Sequence, residues 1–389
     1  MLKYYRLISK KGIYMKKFSF LKKYMAFCLA VACLLLSACA APVDSGNGGQ
    51  GDQANGEGAS SADGSFTLGD VVDTSKALYT YEELEADLFE LQSRYPDLIR
   101  VASAGKTLDG REIYYADVGS SEASRSLMIN AGIHGREYMT PMLLMKQLEY
   151  HLANFSKKNA DGVSFEELFA DTLIRVVPMI NPDGITLSQK GLSGLRSEAL
   201  RRGVEEIYAS DCELFESYQE YATIDDYLVS WKANARGVDL NRNFDIDYWE
   251  EMRTGIAAPS AQKYKGDTPN SEPETQALAR LTTELSGLLA SVSIHSQGEI
   301  IYWDCGQEGD LRSATRRIAL EVAKVSGYGL YGKFETPDAT YNDWCTLNLG
   351  VPSVNVETGV DKCPLPIEQF ETIWAQNVKL WETVIKIYN

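Results

Sequence analysis

From about Phe66 onward, short runs of apolar and β-branched residues alternate with stretches in which apolar positions recur every three to four residues. Compact apolar runs mark strands and a 3.6-residue period marks amphipathic helices. Strands are therefore expected at residues 99–104, 113–118, 126–131, 173–177, 291–294 and 353–356. Helices are expected at 81–95, 138–154, 272–289, 311–326 and 367–387. This alternation predicts an α/β fold, a mixed, mostly parallel central sheet covered by helices on both faces. No internal repeat and no Pro/Gly-rich break interrupts residues 66–389, so a single domain is expected there.

Ahead of this domain the pattern changes twice. Lys16, Lys17, Lys22 and Lys23 precede an apolar run at residues 25–36, which ends in Leu36-Ser37-Ala38-Cys39. At roughly 12 residues the run is shorter than the about 20 that span a bilayer core. Residues 1–38 therefore read as an export signal. The closing tetrapeptide resembles the lipobox of bacterial lipoproteins, which implies a lipid on Cys39 and an exported chain anchored at the cell membrane on its extracytoplasmic side. An ordinary cleaved signal, or a buried helix with a chance cysteine, is the bland alternative. Met1 and Met15 are both candidate starts. Residues 39–65 are mostly Gly, Ser, Asp, Asn and Ala, a composition that cannot offset its own ordering entropy and predicts a flexible tether. Its r.m.s. reach is on the order of 25–30 Å.

Charge narrows the partners. Removing residues 1–38, with eight Lys or Arg and no acid, takes the formal charge from −16 to −24. Such a surface repels polyphosphate, so no nucleic-acid partner is expected; a monomer is the expected form. Of the seven cysteines, Cys212, Cys305, Cys345 and Cys363 belong to the domain. They allow three pairings, among which spacing does not choose, and they are not spaced as a zinc knuckle.

The chemistry shows first through scarcity, because the chain has three histidines, His134, His151 and His295. His134 and Glu137 stand three apart where an expected strand passes into an expected helix, a spacing that lets both side chains reach one point. His295 follows the expected strand at 291–294, and ligands of open α/β sheets gather at strand carboxyl ends. Two imidazoles and one carboxylate leave zinc a fourth position for water. His151, late in a helix and without such company, is expected at the surface.

Five segments then appear in order: His134-Gly135-Arg136-Glu137, Asn181-Pro182-Asp183-Gly184, Gly237-Val238-Asp239-Leu240-Asn241-Arg242-Asn243-Phe244, Ile294-His295-Ser296 and Val356-Glu357. Together they resemble the zinc carboxypeptidase family over about residues 78–388. The resemblance implies one Zn2+ per chain on His134, Glu137 and His295, with Asp239 fixing a ligand imidazole from behind. It implies that Arg136, Asn241 and Arg242 hold the terminal carboxylate of a peptide substrate and polarise the scissile carbonyl. Glu357, thirteen residues after Trp344 in Asn342-Asp343-Trp344, takes the family's general-base position. Together these make the chain a metallocarboxypeptidase by expectation.

The sequence also departs from the digestive branch. Gln297-Gly298-Glu299 replaces the tyrosine usual after His295-Ser296. Tyr341 and Tyr331 are both candidates for a substrate-facing tyrosine, and Lys232, Arg236 or neither takes the oxyanion position. The segment from Trp231 to Phe244 looks more like the bacterial branch of γ-D-glutamyl-diaminopimelate peptidases, which implies peptidoglycan stem peptides as an alternative substrate. A polar insert between Gly184 and Trp231 is a candidate lid or rim. A peptide-binding lipoprotein without catalysis is the alternative of another class, disfavoured by the intact ligand set and base.

Overall fold

The computed structural model describes residues 66–389 apart from 160, 253–255 and 333–338. The export signal, Cys39 and the tether at 39–65 lie outside the described residues. Among the described residues eight strands form one sheet: β1 (Ile99–Lys106), β2 (Glu112–Val118), β3 (Arg125–Ala131), β4 (Thr172–Val177), β5 (Leu288–His295), β6 (Ile300–Tyr302), β7 (Gly329–Tyr331) and β8 (Ser353–Glu357). Their order across the sheet is β1-β2-β4-β3-β5-β8-β6-β7. The centre, β4-β3-β5-β8, is parallel, while β1-β2, β2-β4 and β8-β6 pair antiparallel.

Burial explains why the central strands read as apolar runs. In β3, Leu127, Ile129 and Ala131 join one hydrophobic cluster with the helices Met139–Ala153, Gly309–Ser326 and Leu380–Lys386. Met128, between them, joins a second cluster with Pro273–Thr283 and Tyr341–Leu347. Successive side chains of a strand point to opposite faces, so a sheet with helices on both sides needs apolar residues at every position. Helix starts are locally encoded as well. Thr80 and Glu83 form a reciprocal capping box for Tyr81–Arg94, satisfying two otherwise orphaned N–H groups.

Several expectations are corrected. The helix expected at 272–289 spans Pro273–Thr283, and β5 already begins at Leu288. Gly287 lies between them at φ +57°, where a Cβ would strike the Ser124 carbonyl, so the chain turns there to let β5 pair with β3. The helix expected at 367–387 is broken into a 3-10 turn, Ile367–Gln369, and the helices Phe370–Asn377 and Leu380–Lys386. The Asn377 carbonyl is taken by Gln147 Nε2 at 2.6 Å, a tertiary bond that competes with helix continuation. Strands β6 and β7 have three residues each, too few for a period to show.

His151 is not at the surface. It is fully buried, its ring stacked 4.5 Å from Trp381, and its Nδ1 donates to the Gln147 carbonyl at 2.7 Å. Its neighbours Phe165 and Phe169 explain the placement, since the helix turns that face inward onto an aromatic layer. Nor is the insert only polar. It folds as helices Glu198–Leu214 and Ile224–Val229, which close with Leu187, Leu195 and Trp231 around a small core of their own. The four described cysteines are free.

Candidate metal centre and substrate cleft

Three adjacent parallel strands carry the chemistry at their carboxyl ends. His134 lies three residues beyond β3, while His295 ends β5 and Glu357 ends β8, paired in register. The turn after β3 is possible because of two interlocked glycines. A Cβ on Gly135 would meet the Gly184 carbonyl at 2.5 Å and the Trp231 carbonyl at 2.7 Å. One on Gly184 would meet the Ala233 carbonyl at 2.4 Å. Asn181 ties the same segments together. Its Oδ1 accepts from Gly184 N at 2.9 Å, and its Nδ2 donates to the carbonyls of Ile133 and Ala233, both at 3.1 Å. The spacing of Asn181-Pro182-Asp183-Gly184 hid this role, which joins residues far apart in sequence.

His134, Glu137 and His295 are buried together, with one ligand atom from each lying within 4.8 Å of the others. Nδ1 of His134 is 2.8 Å from Glu137 Oε1, and Nδ1 of His295 is 3.1 Å from Glu137 Oε2. Behind His134, Asp239 Oδ1 stands 3.3 Å from Nε2, while Nδ1 faces Glu137 at the centre. Asp239 Oδ2 is itself held by Lys263 N at 2.9 Å. Burial alone would raise the Glu137 carboxyl, but the adjoining His134 and His295 outweigh it and hold the group well below the usual carboxylate range. Two imidazoles and an ionised carboxylate, converging in a water-poor setting that costs free energy unless charge is compensated, fit a divalent ion of zinc's preferences.

Two cavities meet at this cluster. One, of about 620 Å³, is lined by His134, Asn241, Arg242, Asp304, Asn342 and Asn355 among others. The second, of about 400 Å³, is lined by Arg136, Glu137, Ser296, Gln297, Asp361, Lys362 and Cys363. Lys232, Tyr302 and Glu357 belong to both walls. Burial pushes Glu357 up to about 7, with Glu137 adding to the rise and His295 and Lys232 opposing it. Asn355 Nδ2 donates to Glu357 Oε1 at 3.3 Å. That partner was legible in principle, because residues two apart on a strand share a face.

The remaining candidates separate. Asn241 spends its Oδ1 on the Tyr341 backbone N–H at 3.0 Å, so its remaining polar end is the Nδ2 donor. Arg242 Nε lies 3.4 Å from Asp239 Oδ2. Lys232 Nζ stands 3.9 Å from Glu137 Oε1, whereas Arg236 pairs with Glu272 away from both cavities. Arg136 lines the second cavity and not the one that holds Asn241 and Arg242. Tyr341 is corrected: it is buried in the core, and its hydroxyl bonds Thr282 at 2.8 Å and Ser291 at 3.2 Å. Opening a helix whose face packs on the sheet, it cannot turn to the cleft. Tyr331 lies exposed on β7 against Tyr302, which is the tyrosine lining both cavities among the described residues.

A sheet with a buried His-Glu-His cluster and a carboxylate at its strand ends defines a hydrolase of the metallopeptidase class. The chain belongs to the zinc carboxypeptidase family, whose sequence profile matches residues 84–380. It is 29% identical over 299 residues to "Gamma-D-glutamyl-L-diamino acid endopeptidase 1" of Lysinibacillus sphaericus, covering 77% of this chain and 70% of that protein. It is 30% identical over 316 residues to "Uncharacterized protein YqgT" of Bacillus subtilis, covering 79% and 77%. Among solved structures, bovine thrombin-activatable fibrinolysis inhibitor superposes with a TM-score of 0.60 at 18% identity, covering 80% of this chain and 97% of that one. The fold is shared.

Proposed function

We propose that the chain is a zinc-dependent carboxypeptidase that hydrolyses the bond before a C-terminal residue. The observation that carries this reading is the position of Glu357 on the wall shared by two cavities that also take in His134 and Glu137 of the His134-Glu137-His295 cluster, the larger of them lined by Asn241 and Arg242 as well. Those three residues would hold one Zn2+ per chain, which when bound supplies Lewis acidity toward a carbonyl and makes water more acidic. Arg242 and Asn241 Nδ2 bind the terminal carboxylate, the guanidinium by a two-pronged hydrogen bond. With the carboxylate there, the scissile bond lies over Glu357. The Glu357 carboxylate takes a proton from the attacking water and returns it to the leaving nitrogen, while Asn355 orients it. Lys232 donates to the scissile oxygen from the shared wall. No covalent intermediate on the chain is needed.

The test is mass spectrometry of products from zinc-loaded chain and mixed linear peptides. Loss of single C-terminal residues supports the reading; pairs of fragments from cleavage at internal bonds would overturn it.

A second reading, cleavage of γ-D-glutamyl–diamino acid bonds in peptidoglycan stems, is favoured by the acceptors of the larger cavity. Asn342 Oδ1 and Asn355 Oδ1 are buried without a partner, and the Asp304 and Asp343 carboxylates line the same space. A leaving residue whose side chain ends in N–H donors satisfies them. The relative from Lysinibacillus sphaericus has a name that fits this substrate. Release of diaminopimelate from a purified muropeptide distinguishes this from general trimming. Export and lipidation at Cys39 complete the proposal, placing the domain beyond the membrane on its tether; Cys39→Ser should abolish labelling by a radioactive fatty acid.

A further inference from the structure

Two residues short of His295 and Glu357, the central strands carry a polar row inside the sheet. Asn130 on β3 pairs with Ser293 on β5, and Ser293 pairs with Asn355 on β8. Residues in register on neighbouring parallel strands point to the same face, with the strands about 4.8 Å apart, so the three side chains lie abreast. The face is that of the larger cavity. Asn355 lines it, and two residues earlier on the same strands Ser291 bonds the Tyr341 hydroxyl and Ser353 accepts from Asn342. Asn130 and Ser293 are each 1% exposed and line neither cavity. Every member of the row has one buried polar atom without a hydrogen-bond partner among the described residues: Asn130 Nδ2, Ser293 Oγ and Asn355 Oδ1. Unmet groups at that depth cost free energy. A buried water meets about three such groups and spans gaps too long for a direct bond. An amide donor, a carbonyl acceptor and a hydroxyl that serves as either are the partners it needs.

We infer that Asn130, Ser293 and Asn355 bind an ordered water inside the sheet, and that this water fixes the Asn355 amide with its nitrogen toward Glu357. Asn355 Nδ2 donates to Glu357 Oε1 at 3.3 Å. With Oδ1 held by the water, the amide does not turn to set its oxygen against the carboxylate. A carbonyl oxygen has two lone pairs, so one stays available to a donor in the larger cavity. Asn130 and Ser293 are therefore positioning residues, which act on Glu357 from the two neighbouring strands without reaching the substrate. The inference rests on the base role proposed for Glu357.

The test joins a high-resolution crystal structure of the full zinc-loaded chain to steady-state kinetics on L-alanyl-γ-D-glutamyl-L-lysine and its α-linked isomer. Density for one water should lie within hydrogen-bond reach of all three atoms, and Ser293→Ala should weaken or remove it. Ser293→Ala and Asn130→Ala should each lower kcat about three- to tenfold while KM stays within about twofold, a split that loss of packing alone does not produce. Asn355→Ala removes the group on which the row acts, so adding Ser293→Ala to it should lower kcat little further. Absence of the water, kcat unchanged in both single variants, or losses that multiply in the double variant overturns the inference. Full activity of Glu357→Gln, or no hydrolysis of either peptide by the unaltered chain, with the water in place, would instead overturn the base or the peptidase reading.

Discussion

His134 and His295 at the strand ends and His151 in the helical layer are all withdrawn from water, at 5%, 2% and 0% exposure. Their surroundings differ entirely. The first two aim Nδ1 at one carboxylate, with a second carboxylate behind His134. His151 is enclosed by Phe165, Phe169 and Trp381, with its Nε2 left unbonded. Burial therefore does not separate a ligand from a core residue. What separates them is whether the polar heads around the ring need an ion to reconcile them.

Replacing a histidine in each region breaks the comparison most severely. His295→Ala should reduce bound zinc from about one per chain to near zero, and hydrolysis with it, while His151→Phe keeps its zinc, as read by atomic absorption. Comparable zinc content in the two variants would remove the distinction. Next in size, the proposed base role predicts that Glu357→Gln lowers kcat about 10³-fold with zinc content unchanged, because such a group moves protons and lies outside the His134-Glu137-His295 ligand set. Full activity in that variant would exclude Glu357 as the base.

The aromatic region predicts a pH effect instead. Burial lowers His151 from 6.5 to about 4, against the Gln147 bond that raises it. Its folded-state value is depressed, so the unfolded chain takes up the proton first as pH falls. The stability contribution is complete above about 6.5 and is lost progressively down to about 4, a difference of roughly 3 kcal/mol. Denaturant unfolding at steps across that window should show the loss, and His151→Phe should flatten it. The smallest expected effect concerns Tyr341. Tyr341→Phe removes a hydroxyl bonded to Thr282 and Ser291, so it should cost about 1–2 kcal/mol of stability and leave kcat/KM within about twofold. A large loss of kcat/KM with stability intact would return this tyrosine to the cleft.

Much of the sheet could be read from the sequence because its central strands are buried on both faces and so stay apolar without interruption. The short outer strands β6 and β7 lacked that signal, and the final helix gave no sign that Gln147 would claim the Asn377 carbonyl. At the site, His134, Glu137, His295, Glu357 and Asp239 stood in recognisable local patterns. Asn181 did not reveal its role, because bonding Ile133 and Ala233 at once is a property of three segments meeting. Tyr341 misled because its place beside Asn342-Asp343-Trp344 gives chain position and not the direction of a side chain.

The sequence alone determined the α/β class, the family and the ordered set of chemical groups, because each depends on residue identity at short spacings or on hydrophobic period. Tertiary structure decided which buried histidine sits beside carboxylates, which cation lines which cavity, and which tyrosine lines both. The adjacency at the cluster follows from the β4-β3-β5-β8 order, which pairs Ile129 with Val292 and His295 with Glu357. No spacing along the chain encodes that adjacency, since it arises only when the strands pair and their carboxyl ends align.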